Sequence, residues 1–398
     1  MNNFIKTRLS LIYFSMFAFI GIHMPFWPVW LKSKGISPSG IAALTALSFA
    51  LKIVFTPMVS KAVDRSGQRR QAIILLAFGL LAGFLLFFGV DGFLPILLLT
   101  TLSFACWSPI MSLSESLTTV MAQERGFDYG KIRLWGSVGF MVVAIFSGKL
   151  LERYAEPVLL WSICGAAGLL FASACLLPRV QVVTVKNAKA GAGVFFQSKW
   201  FVVFLIATTL IQGSHAAYYT FGSIHWRGMG LSDQSIGILW GACVAVEVVF
   251  FAFGKALLGR LGAINVLILG GIAAAIRWAV IGATDSMVLL LLAQCLHALS
   301  FGAGHFAAMR IITEKVDASL SSTAQGIYSA FSMGIGMGVV VLASGPMYSA
   351  LQGSTFYVMS VLSLIGMACV LLLKPSQMHK IVQPDAEAPT GLEMKDAA

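Results

Sequence analysis

The chain has 398 residues, of which 58% are hydrophobic and only 11% are charged, and its mean hydropathy is +0.87. Soluble domains carry about twice that share of charged residues, so the composition excludes a soluble protein and indicates an integral membrane protein. The formal net charge of +11 therefore bears on orientation in the bilayer, and we predict no nucleic-acid partner.

Twelve apolar runs follow one another along the chain, each long enough to cross about 30 Å of hydrocarbon. The predicted spans are residues 10–31, 39–60, 71–90, 95–121, 131–151, 157–177, 200–222, 234–258, 264–284, 287–311, 322–350 and 355–373. The six cysteines lie singly inside these runs without CxxC spacing, so we predict no metal, no cofactor and no disulfide framework. The expected fold class is an all-α membrane protein with twelve transmembrane helices.

Basic residues are distributed unevenly between the two sets of loops. Most Lys and Arg residues fall in the loops that share a side with both chain ends, whereas the loops on the other side carry Lys32, Lys34, Arg153 and Arg227. By the positive-inside rule, both termini are cytoplasmic. We expect a multi-pass protein of the plasma membrane, which in bacteria is the inner membrane.

The two halves of the chain repeat. "GISPSGIAAL" from Gly35 aligns with "GLSDQSIGIL" from Gly230, at an offset of 195 residues. This predicts two pseudo-symmetric six-helix bundles, at residues 1–177 and 200–374, joined by a cytoplasmic linker at 178–199 and followed by a disordered cytoplasmic tail at 375–398. Such a plan is typical of transporters with a binding site between the halves.

The repeat offset also places Lys52 over Glu247, and both lie near the middle of a predicted helix. A charge at that depth costs at least about 2.5–3.5 kcal/mol, so each side chain is expected to face a cavity or a partner rather than lipid. One interpretation is that Lys52 binds a substrate anion. The alternative is a buried ion pair that locks the halves together.

Glu115 and Arg133 lie on either side of the hairpin between spans four and five. Glu115 is about 10 Å from the end of its helix and Arg133 is about a turn into the next, so the two side chains are within reach of each other. The planar guanidinium of Arg133 could form a bidentate hydrogen bond with a substrate oxygen acid. Glu115 would then balance the charge of Arg133 when the site is empty. A purely structural pair remains the alternative.

Arg277 in span nine is a third embedded cation and a candidate substrate-binding residue, and pairing with Glu247 on the neighbouring helix is its alternative role. Three embedded cations against two carboxylates leave one positive charge in excess, which suits a monoanionic substrate. Aromatic residues occur on the same helices, and we expect Trp135, Phe140 and Tyr219 to line an apolar pocket. Core packing is the alternative for each of them.

The sequence carries no nucleotide-binding loop, since GxxxxGK[ST] does not occur. A carboxylate in a low-dielectric cavity favours its protonated form and can carry a proton. Glu247 and Glu115 are the candidates within the predicted spans, with His297 as a supporting proton relay or, alternatively, a hydrogen-bonded core residue. Proton symport is the simplest mechanism, and facilitated diffusion stays open.

The loop "KAVDRSGQRR" between spans two and three resembles the signature of the major facilitator superfamily. Asp64, Arg65, Gly67 and Arg70 occupy their usual places, and Ser60 replaces the usual leading glycine. The resemblance implies that this loop bridges neighbouring helices and gates the cytoplasmic side.

Further motifs narrow the resemblance to the lactose and nucleoside permease group. They are "PFWPVWL" at Pro25, "DYGKIRLWGSVGF" at Asp128, "HAAYY" at His215 and "HFAAMR" at His305, and they are most similar to the phenylpropionate permeases. The resemblance implies substrate contacts for Glu115 and Arg133, and coupling roles for Glu247 and His297. In the lactose permease pattern a coupling carboxylate stands at the position of Ser300 and a sugar-stacking tryptophan at that of Phe140, so sugar transport is disfavoured.

We therefore predict a monomeric, proton-coupled symporter that imports a small aromatic monocarboxylate such as 3-phenylpropionate by alternating access. It is not expected to be an enzyme, and its partners are an organic anion, protons and the lipid bilayer. The alternatives are a sugar or nucleoside symporter, a drug exporter of the same fold, a receptor on a transporter scaffold, or a membrane enzyme.

Overall fold

The computed structural model describes residues 2–178, 193–373, 376 and 378–382, and it is almost entirely helical there. The helices are α1 (Asn2–Ser33), α2 (Pro38–Ser66), α3 (Arg69–Leu86), α4 (Phe93–Arg125), α5 (Tyr129–Tyr154), α6 (Pro157–Cys175), α7 (Gly193–Gln197), α8 (Lys199–Gly213), α9 (Ala216–Gly228), α10 (Asp233–Leu261), α11 (Ala263–Ala283), α12 (Met287–Cys295), α13 (Gly304–Lys315), α14 (Ala318–Ala330), α15 (Gly336–Leu351) and α16 (Thr355–Leu371). Short 3₁₀ turns lie at Phe87–Gly89 and Gln352–Ser354.

Eleven stretches of the described chain are long and apolar enough to span a membrane. The last of them, Ser319–Leu371, has 53 residues, which as one helix would measure about 80 Å and exceed a bilayer more than twofold. The chain reverses inside it, at the turn Gln352–Ser354, where Gln352 has a φ of 48°. The stretch is therefore two crossings, and the predicted twelve transmembrane helices are confirmed.

Three of the twelve crossings are interrupted rather than continuous. The seventh consists of α8 and α9, with a break at Ser214 and His215. The tenth and eleventh contain π-helical segments, Ala298–Ala303 between α12 and α13 and Phe331–Ile335 between α14 and α15. Such segments are often found at functional sites.

An even number of crossings puts both chain ends on one face, which we call the terminal face; the other is the opposite face. Near the opposite face the two halves touch through backbone. A Cβ at Gly148 of α5 would collide with the backbone of Asp233 at the start of α10, and one at Gly237 would lie 2.5 Å from the carbonyl oxygen of Ala144. A Cβ at Gly345 of α15 would lie 2.9 Å from Cα of Ser39 in α2. These glycines let the halves close on the opposite face.

The predicted linker and tail lie for the most part outside the described residues. Residues 378–382, placed by the sequence in a disordered tail, pack instead against the second half. Ile381 accepts a hydrogen bond from the backbone N–H of Asp317 and donates one to the carbonyl of Lys315, both at 2.8 Å. The polar composition of the tail did not predict this backbone pairing. The domain boundaries stay a prediction.

Candidate functional site

A cavity of about 340 Å³ lies between the two halves. The first half contributes the faces of three helices: Phe19, Ile20, His23, Met24, Trp27 and Pro28 of α1, Leu44, Thr45, Ser48, Phe49 and Lys52 of α2, and Phe104, Trp107, Ser108 and Met111 of α4. The second half adds Tyr219 of α9, Phe301 and Met333 of the two π-helical segments, and Met337 of α15. Its volume suits a small organic molecule.

Helical periodicity explains why these side chains meet. On α4, Phe104, Trp107, Ser108 and Met111 are separated by three, one and three residues, so they lie on one face of the helix. The four named residues from Thr45 to Lys52 on α2 have the same spacing, and Phe19, His23 and Trp27 on α1 recur every fourth residue. Each helix thus presents one aromatic or polar stripe to a common space.

Lys52 gives this apolar cavity its charge. Among the residues that the structure describes, it is the one Lys or Arg in the lining, and no Asp or Glu is found there. Its side chain is exposed to the cavity. Glu115 interacts with it electrostatically but pairs more directly with Arg133. The ammonium group is therefore free to bind an anion that enters the cavity.

The predicted contact between Glu115 and Arg133 is present but loose. Arg133 Nε lies 4.0 Å from Glu115 Oε1, which is too far for a hydrogen bond. The guanidinium also packs over the ring of Phe17, with its carbon 4.2 Å from the ring centroid. Neither charged residue belongs to the cavity lining, so the pair is beside the cavity rather than in it.

Glu247, His297 and Arg277 form a polar chain in the second half. Arg277 is fully buried, and its Nη2 donates to Gln294 Oε1 at 2.6 Å while its Nη1 lies 2.9 Å from His297 Nδ1. Arginine has no acceptor, so His297 Nδ1 must accept and the proton of a neutral ring lies on Nε2. That nitrogen is 4.0 Å from Glu247 Oε2. The chain therefore aims an imidazole N–H at the carboxylate.

Other groups compensate the buried charge of Arg277. Its guanidinium carbon lies 4.3 Å from the ring centroid of Tyr218 and 4.6 Å from that of Trp278. Glu247 interacts electrostatically with Arg277 and also with Arg133 of the first half. Arg277 does not line the cavity, and among the described side chains no direct ion pair joins it to Glu247, whose near neighbour is the imidazole of His297.

The three predicted aromatic residues have different positions. Tyr219 lines the cavity as expected. Phe140 is buried where α5 crosses α1, and its backbone lies against Gly21. Trp135 is half exposed and lines a separate recess with Lys6 at the terminal face. The structure brings Tyr219 together with Lys52, but it brings neither Phe140 nor Trp135 to the cavity.

Sequence reasoning missed most of the aromatic lining, in particular His23, Phe104 and Trp107. The rings of His23 and Phe104 are 4.9 Å apart, and those of Phe19 and Trp107 are 4.7 Å apart. The signal was the regular spacing of aromatic and polar residues on α1 and α4. In a chain this rich in apolar residues, that spacing is hard to separate from ordinary core packing.

The signature loop between α2 and α3 connects three helix ends. Gly67 ends α2 with a φ of 69°, a conformation that favours glycine, and Asp64 accepts a 2.7 Å hydrogen bond from Arg69. Arg70 donates to the carbonyls of Leu177 and Cys175 at the end of α6, both at 2.7 Å, whereas Arg65 is exposed. The loop bridges helices, and its gating role stays a prediction.

Comparison with known proteins agrees with this architecture. A sequence model of the MFS_1 like family matches residues 6–359. The chain is 30% identical over 366 residues to a probable 3-phenylpropionic acid transporter of Escherichia coli K12, covering 90% of this chain and 95% of that protein. It is 26% identical to a maltose permease of Geobacillus stearothermophilus, covering 92% of this chain and 94% of that protein.

Among solved structures, the nucleoside transporter NupG superposes with a TM-score of 0.82 at 17% identity, covering 94% of this chain and 99% of that one. This likeness concerns the fold. Within the part of the chain that the structure describes, no group of three His, Cys, Asp or Glu side chains could hold a metal ion. The chain belongs to the MFS_1 like family of the major facilitator superfamily, and it is a multi-pass membrane transporter rather than an enzyme.

Proposed function

We propose that this transporter imports a small aromatic monocarboxylate, such as 3-phenylpropionate, together with protons. The observation that carries the substrate class is the lining of the cavity, where aromatic rings surround Lys52 and the described residues supply no carboxylate. An aromatic ring gains by stacking on such walls, and a single ammonium group balances a single carboxylate. The name of the Escherichia coli relative supports the same class.

In this proposal Lys52 binds the carboxylate, and Tyr219 with the rings of α1 and α4 holds the aromatic end. Arg133 and Glu115 serve beside the cavity, where Glu115 interacts with both Arg133 and Lys52. When a substrate anion pairs with Lys52, the electrostatic attraction between Glu115 and its two cations, Arg133 and Lys52, changes. That change couples occupancy of the cavity to the contact between α4 and α5.

Glu247 carries the proton. Its position supports this role. Glu247 contacts the imidazole of His297 in its own half and interacts electrostatically with Arg133 of the other half. The charged form attracts Arg133 across the gap between the halves, and the protonated form does not. Protonation therefore changes how strongly the halves are held together, which alternating access requires.

The bias of Lys and Arg supports a cytoplasmic position for the terminal face, in the inner membrane of a bacterium. In this proposal the backbone contacts near the opposite face lie on the outer side of the membrane, which supports a state closed to the outside. The predicted monomer remains part of this proposal.

A substrate panel tests the proposal. The purified protein is placed in proteoliposomes, and uptake of labelled 3-phenylpropionate is measured alone and with excess sugar, nucleoside or cationic drug. We expect saturable uptake of the aromatic acid that none of the three competitors reduces. Flux of a sugar, nucleoside or drug without flux of the acid would reverse the assignment, and no flux of any compound would point to a receptor.

A further inference from the structure

A histidine in the cavity wall has no hydrogen-bond partner within the described chain. His23 lines the cavity, and neither of its ring nitrogens is hydrogen-bonded within the described chain. Its Nε2 is buried without a partner, and the residue as a whole is partly accessible. Buried polar atoms are nearly always paired, so an unpaired histidine at a substrate cavity indicates a missing partner.

The repeat-related histidine of the second half gives the contrast. His215 Nε2 lies 3.3 Å from Ser300 Oγ, and its Nδ1 lies 3.2 Å from the carbonyl oxygen of Gln212. Both nitrogens of His215 are thus satisfied inside the protein. Two other polar groups of the cavity are satisfied as well, because Thr45 donates to Ile41 and Ser48 donates to Leu44. His23 and the hydroxyl of Ser108 are the buried unpaired groups among the described lining residues, and of these two His23 lies in the aromatic wall of α1.

The position of His23 indicates which part of a substrate it would contact. Its ring stacks between Phe19 and Trp27, with centroids 5.5 and 5.3 Å away, and packs against Phe104. It therefore belongs to the aromatic wall of α1 and α4, whereas Lys52 stands on α2. A substrate that places its carboxylate at Lys52 has its ring at the wall that contains His23.

The chemistry of the cavity limits what the ring can carry. A second carboxylate would need a second cation, and a ring ammonium would need a carboxylate, but the described lining has neither. A hydroxyl group is neutral and both donates and accepts, so it fits His23 whichever ring nitrogen carries the proton.

We infer that His23 recognises a ring hydroxyl, and that the preferred substrates are hydroxylated aromatic monocarboxylates rather than the unsubstituted acid. This inference rests on the proposed function and adds a specificity determinant to it. One neutral hydrogen bond formed in a site that excludes water corresponds to about a threefold to tenfold gain in affinity.

The test compares competitors in one uptake assay. Labelled 3-phenylpropionate is taken up by proteoliposomes, and unlabelled 3-phenylpropionate, 3-(3-hydroxyphenyl)propionate and 3-(4-hydroxyphenyl)propionate are compared as inhibitors. We expect one hydroxylated acid to inhibit at about a threefold to tenfold lower concentration than the parent. His23→Phe should remove this preference, so that the parent and hydroxylated acids inhibit at similar concentrations, and His23→Asn, which keeps a hydrogen-bonding group near Nδ1, should retain part of it.

Equal or weaker inhibition by both hydroxylated acids in the wild-type protein would overturn the inference, even if His23→Phe failed to fold. An unchanged preference in a folded His23→Phe variant would overturn it too. The proposed function has a separate readout, because it fails only if the parent acid itself is not transported, and the inference then fails with it.

Discussion

Lys52 concentrates the positive charge of the cavity at one residue. An ammonium group on a wall of aromatic and Met side chains has few protein partners, and a carboxylate that reaches it forms a charge-assisted hydrogen bond with little competition from water. Affinity for the acid should therefore depend strongly on this one side chain.

Lys52→Met should weaken inhibition by aromatic acids by about tenfold to hundredfold, because a hydrogen bond to a charged group contributes about 1.5–3 kcal/mol. Lys61→Met is the matched control, since Lys61 is exposed on the same helix away from the cavity. Competition with labelled substrate measures both variants. An equal loss of inhibition in both variants, or no loss in Lys52→Met, would show that Lys52 does not bind the substrate.

Arg133→Lys should lose most uptake, because a compact ammonium cannot keep both the planar packing on Phe17 and the approach to Glu115. Lys131→Ala, an exposed change two residues away, should leave uptake near normal. Initial rates at equal protein content give the comparison. Near-normal uptake by Arg133→Lys would show that the planar guanidinium is dispensable.

At the scale of elements, the helices follow from the lengths of the apolar runs, and their number was predictable. The interruptions within three of the crossings were not predictable from the sequence. The π-helical segments at Ala298–Ala303 and Phe331–Ile335 lie in sequence that is as apolar as the surrounding helices, and tertiary packing decides their backbone. The same limit applies to the site: isolated charges such as Lys52 stand out against apolar sequence, whereas cavity aromatics such as Trp107 do not.

Arg70 of α3 contacts the end of α6 through two hydrogen bonds. Arg70→Ala should lower the free energy of unfolding by about 1–3 kcal/mol, because carbonyls at a helix end lose a charged donor. Arg65→Ala, an exposed change in the same loop, should have little effect. Thermal unfolding in detergent measures both, and equal midpoints would mean that the α6 contact adds no stability.

At the scale of the whole molecule, an ion-pair cluster joins the halves on the opposite face. Arg227 donates to Glu156 of the first half at 2.7 Å and to Asp233 at 2.9 Å, and the backbone N–H of Gln234 donates to Glu152 at 3.2 Å. The hydrogen bond from its own backbone N–H, followed by the one from Arg227, holds the pKa of Glu156 below its ordinary value of 4.5.

The sign of the pH effect follows from that lowered pKa. The contact stabilises the closed opposite face fully above pH 4.5, and the stabilisation is lost as the pH falls through the lowered pKa. Glu156→Gln should already loosen the face at neutral pH. Because both side chains are about one-third exposed, the change is at most about 1 kcal/mol, or roughly fivefold in population.

Distances between spin labels on the two halves at the opposite face measure this change. We expect a longer-distance population in Glu156→Gln at neutral pH and in the wild-type protein only under strong acid. Arg153→Gln, an exposed neighbour, is the control. Identical distributions in all three proteins at neutral pH would show that the cluster does not influence closure.

Glu247, as the proposed proton carrier, couples the whole molecule to the pH gradient, and accumulation of labelled 3-phenylpropionate in proteoliposomes under an acid-outside gradient tests this role. We expect the wild-type protein to accumulate the acid above its external concentration, and Glu247→Gln, which cannot release a proton, to exchange internal for external substrate without accumulating it. Accumulation by Glu247→Gln equal to that of the wild-type protein would contradict the assignment of Glu247 as the proton carrier.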